Sequence, residues 1–400
     1  MTLRLAHLSD THLGYRSSGR PEPQSGRNQR TVDVEDAFTR AIDDILEQRV
    51  DFVIHSGDVF HHARPTWQSM RHFIRQMRRL EDAGVPTLVI AGNHDTPRVR
   101  TGGSAYSVLE LALPNIAFAC DYASVEVADP FSHLNVRVQA IPHGALTNID
   151  PPIVSRPREG MFNLVTTHGI APGVLPDSHL SEPGEQELPS RLVSFEGVDY
   201  FALGHIHLCQ QVNAHAWYAG STERFGWGDA EATPGYRLIE LSTPGAVPGV
   251  THRAIPTRPM IRLKPEDGTG RTSRDIADTI LEQATRLENP EAMARVSLQH
   301  AERATRREVQ AILRRESPPI VWSLDLAPER DSFVADAPRL SEIDDASLDL
   351  HALFAEFVAA RRDTYPTPDF ATTLLERGNL ALTEATLAAQ SPLPEDDTVT

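Results

Sequence analysis

The sequence predicts an α/β fold of two packed sheets, followed by a small β-α-β-α-β unit and a pair of helices at the carboxyl end. Three observations predict it. Apolar strands and helices of period 3.6 alternate through the first 95 residues. The middle of the chain is rich in strands and poor in helices. A second, shorter alternation begins near Arg258-Pro259.

Leu3 to Leu8 is an apolar strand ending in Ser9-Asp10, followed by a polar loop from Gly14 to Gln29. Asp33 to Gln48 carries apolar residues at helical spacing: Val34, Ala37, Phe38, Ala41, Ile42, Ile45, Leu46. Asp51 to His55 is a strand closed by Ser56-Gly57-Asp58. A helix runs from Thr66 or Trp67 to Ala83, with Met70, Phe73, Ile74, Met77 and Leu80 on one face. Pro86 to Ile90 is a strand closed by Gly92-Asn93-His94-Asp95. Strands follow at Ile116–Ala119, Val125–Val127, Val136–Ile141, Phe162–Thr166, Tyr200–Ala202 and Tyr236–Leu241, with a long polar loop over Pro172–Pro189. They fit a second sheet packed on the first.

The small unit reads as strand Met260–Leu263, helix Ser273–Leu287, strand Ala294–Gln299, helix Thr305–Arg314 and strand Ile320–Leu326. The expected organisation is therefore a catalytic domain over 1–257, a small domain over 258–328, a linker over 329–345, helices within 346–390 and a disordered tail over 391–400. Leu348 to Arg361 and Asp369 to Ala389 are the two helical stretches, separated by Tyr365-Pro366-Thr367-Pro368.

Net charge is −17, which argues against a simple electrostatic nucleic-acid binder. The excess is uneven: from Glu329 onward there are 15 acidic and 5 basic residues, against 40 and 33 before it. Lysine occurs once, at Lys264, and genomic base composition explains such an arginine bias more simply than phosphate binding does. The two cysteines, Cys120 and Cys209, make a disulfide framework unlikely and read as two buried thiols. No apolar run reaches the ~20 residues of a membrane span, and Met1 to Asp10 lacks a secretory apolar region, so the expected compartment is the cytoplasm, with no membrane partner.

Five polar clusters carry the chemistry: Asp10-Thr11-His12, Gly57-Asp58, Gly92-Asn93-His94-Asp95, Thr167-His168-Gly169 and Gly204-His205-Ile206-His207. Most follow an apolar strand directly, at the carboxyl end where α/β sheets bind ligands. Singly they say little, because a lone His at a strand end is usually a surface residue and Gly-Asp is commonplace. As an ordered set they offer carboxylate, amide and imidazole donors without a thiolate, the mixture that suits Mn²⁺, Fe²⁺ and Zn²⁺. Asp95 has two readings of equal weight: a carboxylate that orients His94, or a helix N-cap ahead of Arg98.

This ordered set resembles the calcineurin-like metallophosphoesterases, and the resemblance implies their αββα sandwich. It also implies two divalent cations, Mn²⁺ first, with Fe²⁺, Zn²⁺ and Mg²⁺ as alternatives. One would take Asp10, His12 and His207, the other Asn93, His168 and His205, with Asp58 bridging. His94 would face the scissile phosphate and stabilise or protonate the leaving oxygen. The opening Leu5-Ala6-His7-Leu8-Ser9-Asp10-Thr11-His12-Leu13-Gly14-Tyr15, and Gly57-Asp58-Val59-Phe60-His61, narrow the resemblance to the Mre11/SbcD DNA repair nucleases, including a YhaO-like branch. There His61 would act on the DNA strand; His62 stands beside it, and a swapped role stays open. Tyr218-Ala219-Gly220-Ser221 followed by Arg224 is similar to that family's Pro-Gly-Ser segment, with Ala219 where Pro is usual. The small unit resembles its capping domain, and the closing helices its docking element for a Rad50/SbcC-like SMC ATPase. A homodimer is implied as well.

The expected function is thus a Mn²⁺-dependent DNA nuclease of double-strand break repair, a 3′-to-5′ exonuclease on duplex ends and an endonuclease on single strands. A small-substrate phosphodiesterase or nucleotidase is the first alternative; the added domain and tail count against it. A scaffold subunit with incidental catalysis is the second, and the complete ligand set counts against that.

Overall fold

A computed structural model describes residues 2–17, 19–97, 103–127, 129–148, 154–174, 185–189, 191–317, 320–327, 350–360, 371–380 and 383. Two compact units are distinguished, Met1–Ala327 and Pro328–Thr400.

The first unit opens with β1 (Leu3–Leu8), α1 (Gln29–Gln48), β2 (Phe52–His55), α2 (Trp67–Asp82), β3 (Thr87–Ile90), α3 (Tyr106–Ala112) and β4 (Ile116–Ala119). β1 to β4 are parallel neighbours. Side chains alternate across this sheet. Leu3, Leu5, Phe52, Ile54, Leu88 and Ile90 point to one core. Ala6, Leu8, Val53 and Val89 point to another, shared with Phe38, Ile42 and Ile45 of α1 and Phe73 and Met77 of α2. Both helices are N-capped by side chains: Asn28 accepts the Thr31 N–H and Thr66 the Ser69 N–H. α1 starts four residues before the expected Asp33, because its first turn is buried by charge pairing rather than by an apolar stripe. Arg30 there is 1% exposed and pairs with Asp33 and Glu223.

The second sheet contains β5 (Val125–Val127), β6 (Val136–Ile141), β7 (Phe162–His168), β8 (Tyr200–Gly204), β9 (Gln210–Gln211) and β10 (Ala216–Tyr218), in the order β5-β6-β7-β8-β10-β9; the one-turn α4 (His143–Leu146) follows β6 in the chain. β11 (Gly235–Leu241) and β12 (Gly249–Ala254) return to the first sheet, where β11 pairs antiparallel with β1. Val136, Val138, Leu164, Tyr200 and Ala202 meet Leu5, Phe52 and Ile54 between the sheets. Val165, Phe201 and Leu203 face outward beneath α4 and coil residues such as Val154, Leu188 and Val198. The expected two-sheet sandwich is present, although the strands Ile116–Ala119 and Tyr236–Leu241, expected in the second sheet, pair with β3 and β1 in the first; the carboxyl ends of β1, β2, β3, β7 and β8 all deliver their polar clusters to one edge.

β13 (Met260–Arg262), β14 (Glu266–Asp267), α5 (Ser273–Thr285), β15 (Met293–Val296), β16 (Leu298–Gln299), α6 (Arg303–Glu316) and β17 (Ser323–Leu326) build the small region. Its three-stranded parallel sheet, β13-β15-β17, has its own core of Ile276, Ile280, Val309, Leu313 and Leu324. The single strand expected over Ala294–Gln299 is two, because β15 pairs with β13 and β17 whereas β16 pairs with β14. Arg258 ties this region to α1: its guanidinium donates to Asp33 at 2.8 and 3.0 Å and lies 4.8 Å from the centre of the Trp322 ring.

Of the second unit, α7 (Leu350–Ala360) and a helical segment over 371–380 are described. They pack on each other: a Cβ at Gly378 would meet the Phe354 ring at 2.1 Å. The remainder of the two expected helical stretches, the linker over 329–345 and the tail over 391–400 lie outside the described residues. No helix among the described residues is long and apolar enough to cross a membrane.

Candidate metal centre

The site is built on unusual backbone. Among the described residues, eight non-glycine positions have positive φ, and four of them are Asp10 (51°), His12 (43°), Asp58 (54°) and His205 (104°). Such geometry costs ~1–2 kcal/mol per residue, and here it is maintained by cross-strand bonds at the sheet edge. The Asp10 N–H donates to the Gly57 carbonyl at 3.0 Å, and the His12 N–H to the Asp58 carbonyl at 3.0 Å. The loops after β1 and β2 are thereby locked together.

All seven expected ligands converge. Asp10, His12 and His207 have ligand atoms within 4.8 Å of one another, as do Asp10, Asp58 and His168. One Asp58 carboxylate oxygen lies 3.6 Å from His12 Nε2 and 3.3 Å from His168 Nε2, so it touches both ligand sets. Asn93 Oδ1 lies 3.0 Å from His168 Nε2 and 3.1 Å from His205 Nδ1. Asp10, placed by resemblance in one set, also reaches the other, and its carboxylate accepts the His205 backbone N–H at 3.1 and 3.2 Å.

The donor set fits two divalent cations. His168 Nδ1 donates to the Ser56 carbonyl at 2.8 Å, which leaves the lone pair on Nε2 facing Asn93 and Asp58. His207 Nδ1 donates to Asp229 at 3.1 Å, which leaves its Nε2 facing His12 Nε2 at 3.2 Å. Acceptors crowded at these distances repel unless a cation or proton sits among them. The protonation pattern expresses the same demand. Burial works to lower the His168 pKa, yet the neighbouring Asp58 carboxylate overcomes it and raises the imidazole to about 9. Burial would raise Asp58, and the surrounding imidazoles, His168 foremost, hold it well below the ordinary carboxylate range.

His94 donates its backbone N–H to the other Asp58 oxygen at 2.9 Å, and its Nδ1 faces the His61 carbonyl at 2.9 Å. His61 stacks on His94 at 5.2 Å, with its Nδ1 3.4 Å from His12 Nδ1. His62 is exposed, its ring 4.5 Å from that of His61. His61 is thus the member of the pair that lies against the ligand cluster.

The Asp95 carboxylate serves the backbone of two loops. It is buried and accepts the backbone N–H groups of Val59, Phe60 and Gly92 at 3.0, 2.9 and 3.2 Å. It ties the β2 and β3 loops together, while His94 Nδ1 donates to the His61 carbonyl. Burial, aided by repulsion from Asp58, pushes Asp95 up to about 6. The alternative N-cap role ahead of Arg98 involves a residue outside the described ones.

Asp229 and Glu185 carry no mark in the sequence. Glu185 lies 3.4 Å from His205 Nε2. Both lie about 20 residues along the chain from their imidazoles, among other acids that nothing local distinguishes. Phe225 was also unmarked; its ring meets those of His12, Tyr15 and His207 edge-on at 4.7, 5.1 and 5.2 Å. Cys120 and Cys209 are free and half-buried.

Residues 3–209 match the calcineurin-like phosphoesterase family. Among curated relatives, the chain is 30% identical to the DNA double-strand break repair protein Mre11 of Haloferax volcanii over 289 residues, 70% of this chain and 59% of that one. It is 30% identical to Mre11 of Saccharolobus solfataricus over 51% of this chain and 49% of that one. For Mre11 of Thermoplasma acidophilum the identity is 30%, over 64% and 67%. The chain spans about half to two thirds of the length of these relatives. With a matched segment that includes every expected ligand and ends just past His207, the chain belongs to the calcineurin-like phosphoesterase family, and its sequence relatives there are Mre11 proteins.

Proposed function

We propose that this protein is a Mn²⁺-dependent DNA nuclease that hydrolyses phosphodiesters during double-strand break repair, with 3′-to-5′ exonuclease action on duplex ends and endonuclease action on single strands. The observation that carries the two-metal reading is Asp58, whose carboxylate lies within 3.6 Å of imidazoles from both ligand sets. Asp10, His12 and His207 would hold one cation, and Asn93, His168 and His205 the other. When bound, two such cations neutralise phosphate oxygens and make a water acidic enough to attack near neutral pH.

The chain's own residues supply the rest. The His61 carbonyl fixes the His94 tautomer by accepting from Nδ1, so Nε2 is the atom that holds or passes a proton at the leaving oxygen. Asp58 binds the His94 backbone while it serves the ligands, which sets the imidazole at a fixed distance from the centre. Asp95 keeps the β2 and β3 loops in register, and Phe225 covers the His12 and His207 rings and excludes water from that flank.

The Mre11 relatives are named for DNA double-strand break repair, and that name supports DNA as the substrate. The resemblance of the closing helices to a docking element supports a Rad50/SbcC-like SMC ATPase as partner of the helices within 346–390, and a homodimer goes with the same reading. The acidic balance of −17 suits a nuclease whose partner holds the DNA. The discriminating experiment compares linear duplex DNA, bis-p-nitrophenyl phosphate and nucleoside monophosphates, each with Mn²⁺. Cleavage of duplex ends supports the nuclease. Turnover confined to the small esters overturns it in favour of a small-substrate phosphodiesterase.

A further inference from the structure

Asp229 stands 22 residues beyond His207, outside every cluster that the sequence marks, yet its carboxylate faces a ligand. One oxygen, Oδ2, accepts from His207 Nδ1 at 3.1 Å and from the backbone N–H groups of Phe225 and Gly226 at 3.0 and 3.3 Å. A carboxylate behind a ligating imidazole fixes its tautomer and orientation and raises its basicity.

The turn that presents Asp229 is held from the other side by the small region. The guanidinium carbons of Arg295 and Arg262 lie 4.4 and 5.8 Å from the centre of the Trp227 ring. Arg262 also donates to the Trp227 carbonyl. Trp227 packs with Ala230, Met260, Met293 and Trp322, three of which belong to or flank the three-stranded sheet. Arg224 anchors the start of the same segment, donating to Thr257 Oγ1 at 2.7 Å and to the Ala232 carbonyl at 2.9 Å. One short segment thus touches two candidate ligands, through Phe225 and Asp229, and the small sheet, through Trp227. His168 is held differently, from within the sandwich, by the Ser56 carbonyl.

We infer that Asp229 is a positioning residue for the cation held by Asp10, His12 and His207, and that the small region sets the affinity of that position, and of that one only, through its grip on Trp227. The inference rests on the two-metal reading above.

The test is calorimetric titration of Mn²⁺ into chelator-treated full-length protein, with metal content and thermal unfolding measured in parallel. The wild type should take up two ions. D229N should weaken one of the two by roughly 10- to 100-fold, the usual effect of losing such a partner, and D229A should lose more, because it removes the side-chain oxygen altogether where asparagine keeps one. The other site should keep its wild-type affinity in both. W227A should weaken the same site by about 10-fold. R295M, which leaves the tryptophan in place, gives a milder perturbation of the same contact and the same direction of change should W227A fail to fold. Failure of the wild type to bind two ions overturns the metal reading itself. Two ions at wild-type affinity in every variant, or equal weakening of both sites, overturns the positioning role. Weakening in the Asp229 variants with none in a folded W227A or R295M overturns the link to the small region.

Discussion

Replacing Gly92 by Ala should disable the centre without touching a ligand. A Cβ built at Gly92 would lie 2.1 Å from Asp58 Oδ1, 2.7 Å from Asp58 Cγ and 2.5 Å from the Asp58 backbone nitrogen, where ordinary contact begins at 3.4 Å. The Asp58 carboxylate must therefore move by more than 1 Å, and because the backbone is also struck, a side-chain rotation alone cannot relieve it. Overpacking of this kind costs about 1–3 kcal/mol. Taking about 2 kcal/mol and a urea slope of about 3 kcal/mol/M, the unfolding midpoint should fall by ~0.7 M. The larger effect is on function: a 1 Å displacement in a reacting constellation costs on the order of 100-fold in rate, and both cations should bind more weakly because Asp58 serves both. Gly84→Ala is the matched control. Its φ is +69° and nothing lies within 4 Å of the new Cβ, so backbone strain alone applies. It should lose ~1–2 kcal/mol of stability with metal content and activity intact. A Gly92→Ala protein that keeps two tightly bound Mn²⁺ and wild-type turnover would refute the bridging geometry.

Asp58→Ala should abolish activity and reduce metal content at both sites; two tightly held ions in this variant would falsify the ligand assignment. His94→Ala should keep both metals while turnover drops by roughly 10² to 10⁴, the range for a positioned acid or base, and metal loss would instead make His94 a ligand. His61→Ala should keep metal and lose exonuclease action, and no change on any DNA substrate would weaken the nuclease reading. Burial lowers His7 and His55 to about 3. With folded pKa values below the unfolded 6.5, their contribution is present above pH 6.5 and is lost as pH falls toward 3, which amounts to about 2 kcal/mol each by pH 5. Urea melts at pH 7 and pH 5 check this, and a flat profile sinks it. Truncation from about Ser341 should leave Mn²⁺-dependent cleavage intact and abolish capture of the ATPase; an unfolded catalytic domain, or persistent capture, would move the docking element elsewhere.

Much of the centre was legible because each ligand cluster is local: an apolar strand stops, a glycine or polar turn follows, and the donor comes within four residues of the strand end. Sheet topology then makes distant clusters neighbours, and their order along the chain carries that information. What escaped reading depends on pairs with no local mark. Asp229 meets His207, and Arg30 meets Glu223, 22 and 193 positions apart in the chain, and neither acid sits in a recognisable turn motif. The start of α1 was missed for a related reason. Its first turn presents Arg30 inward, so the apolar period begins only at Val34, although Asn28 three residues before Thr31 was a readable N-cap. β9 and β10 are two and three residues long and too short to show alternation. Asp95 carried two readings, an orienting group for His94 or a helix N-cap, and no local pattern announces the bonds its carboxylate accepts from the Val59, Phe60 and Gly92 amides.

The left-handed backbone at Asp10, His12, Asp58 and His205 separates two requirements that usually travel together. Conformation at these positions favours Asn, Asp and His, whose short polar side chains tolerate positive φ, while chemistry demands a particular donor atom. Asparagine therefore satisfies the first requirement and alters the second, because a neutral amide oxygen replaces a charged carboxylate at Asp10 or Asp58 and a longer imidazole at His12 or His205. Asp58→Asn and His205→Asn should accordingly be folded, inactive proteins, whereas β-branched replacements should misfold locally. A chemist who wants to freeze a bound substrate on this enzyme for trapping or crosslinking would do best to choose asparagine at these four turns, where alanine scanning would confuse a broken loop with a missing ligand.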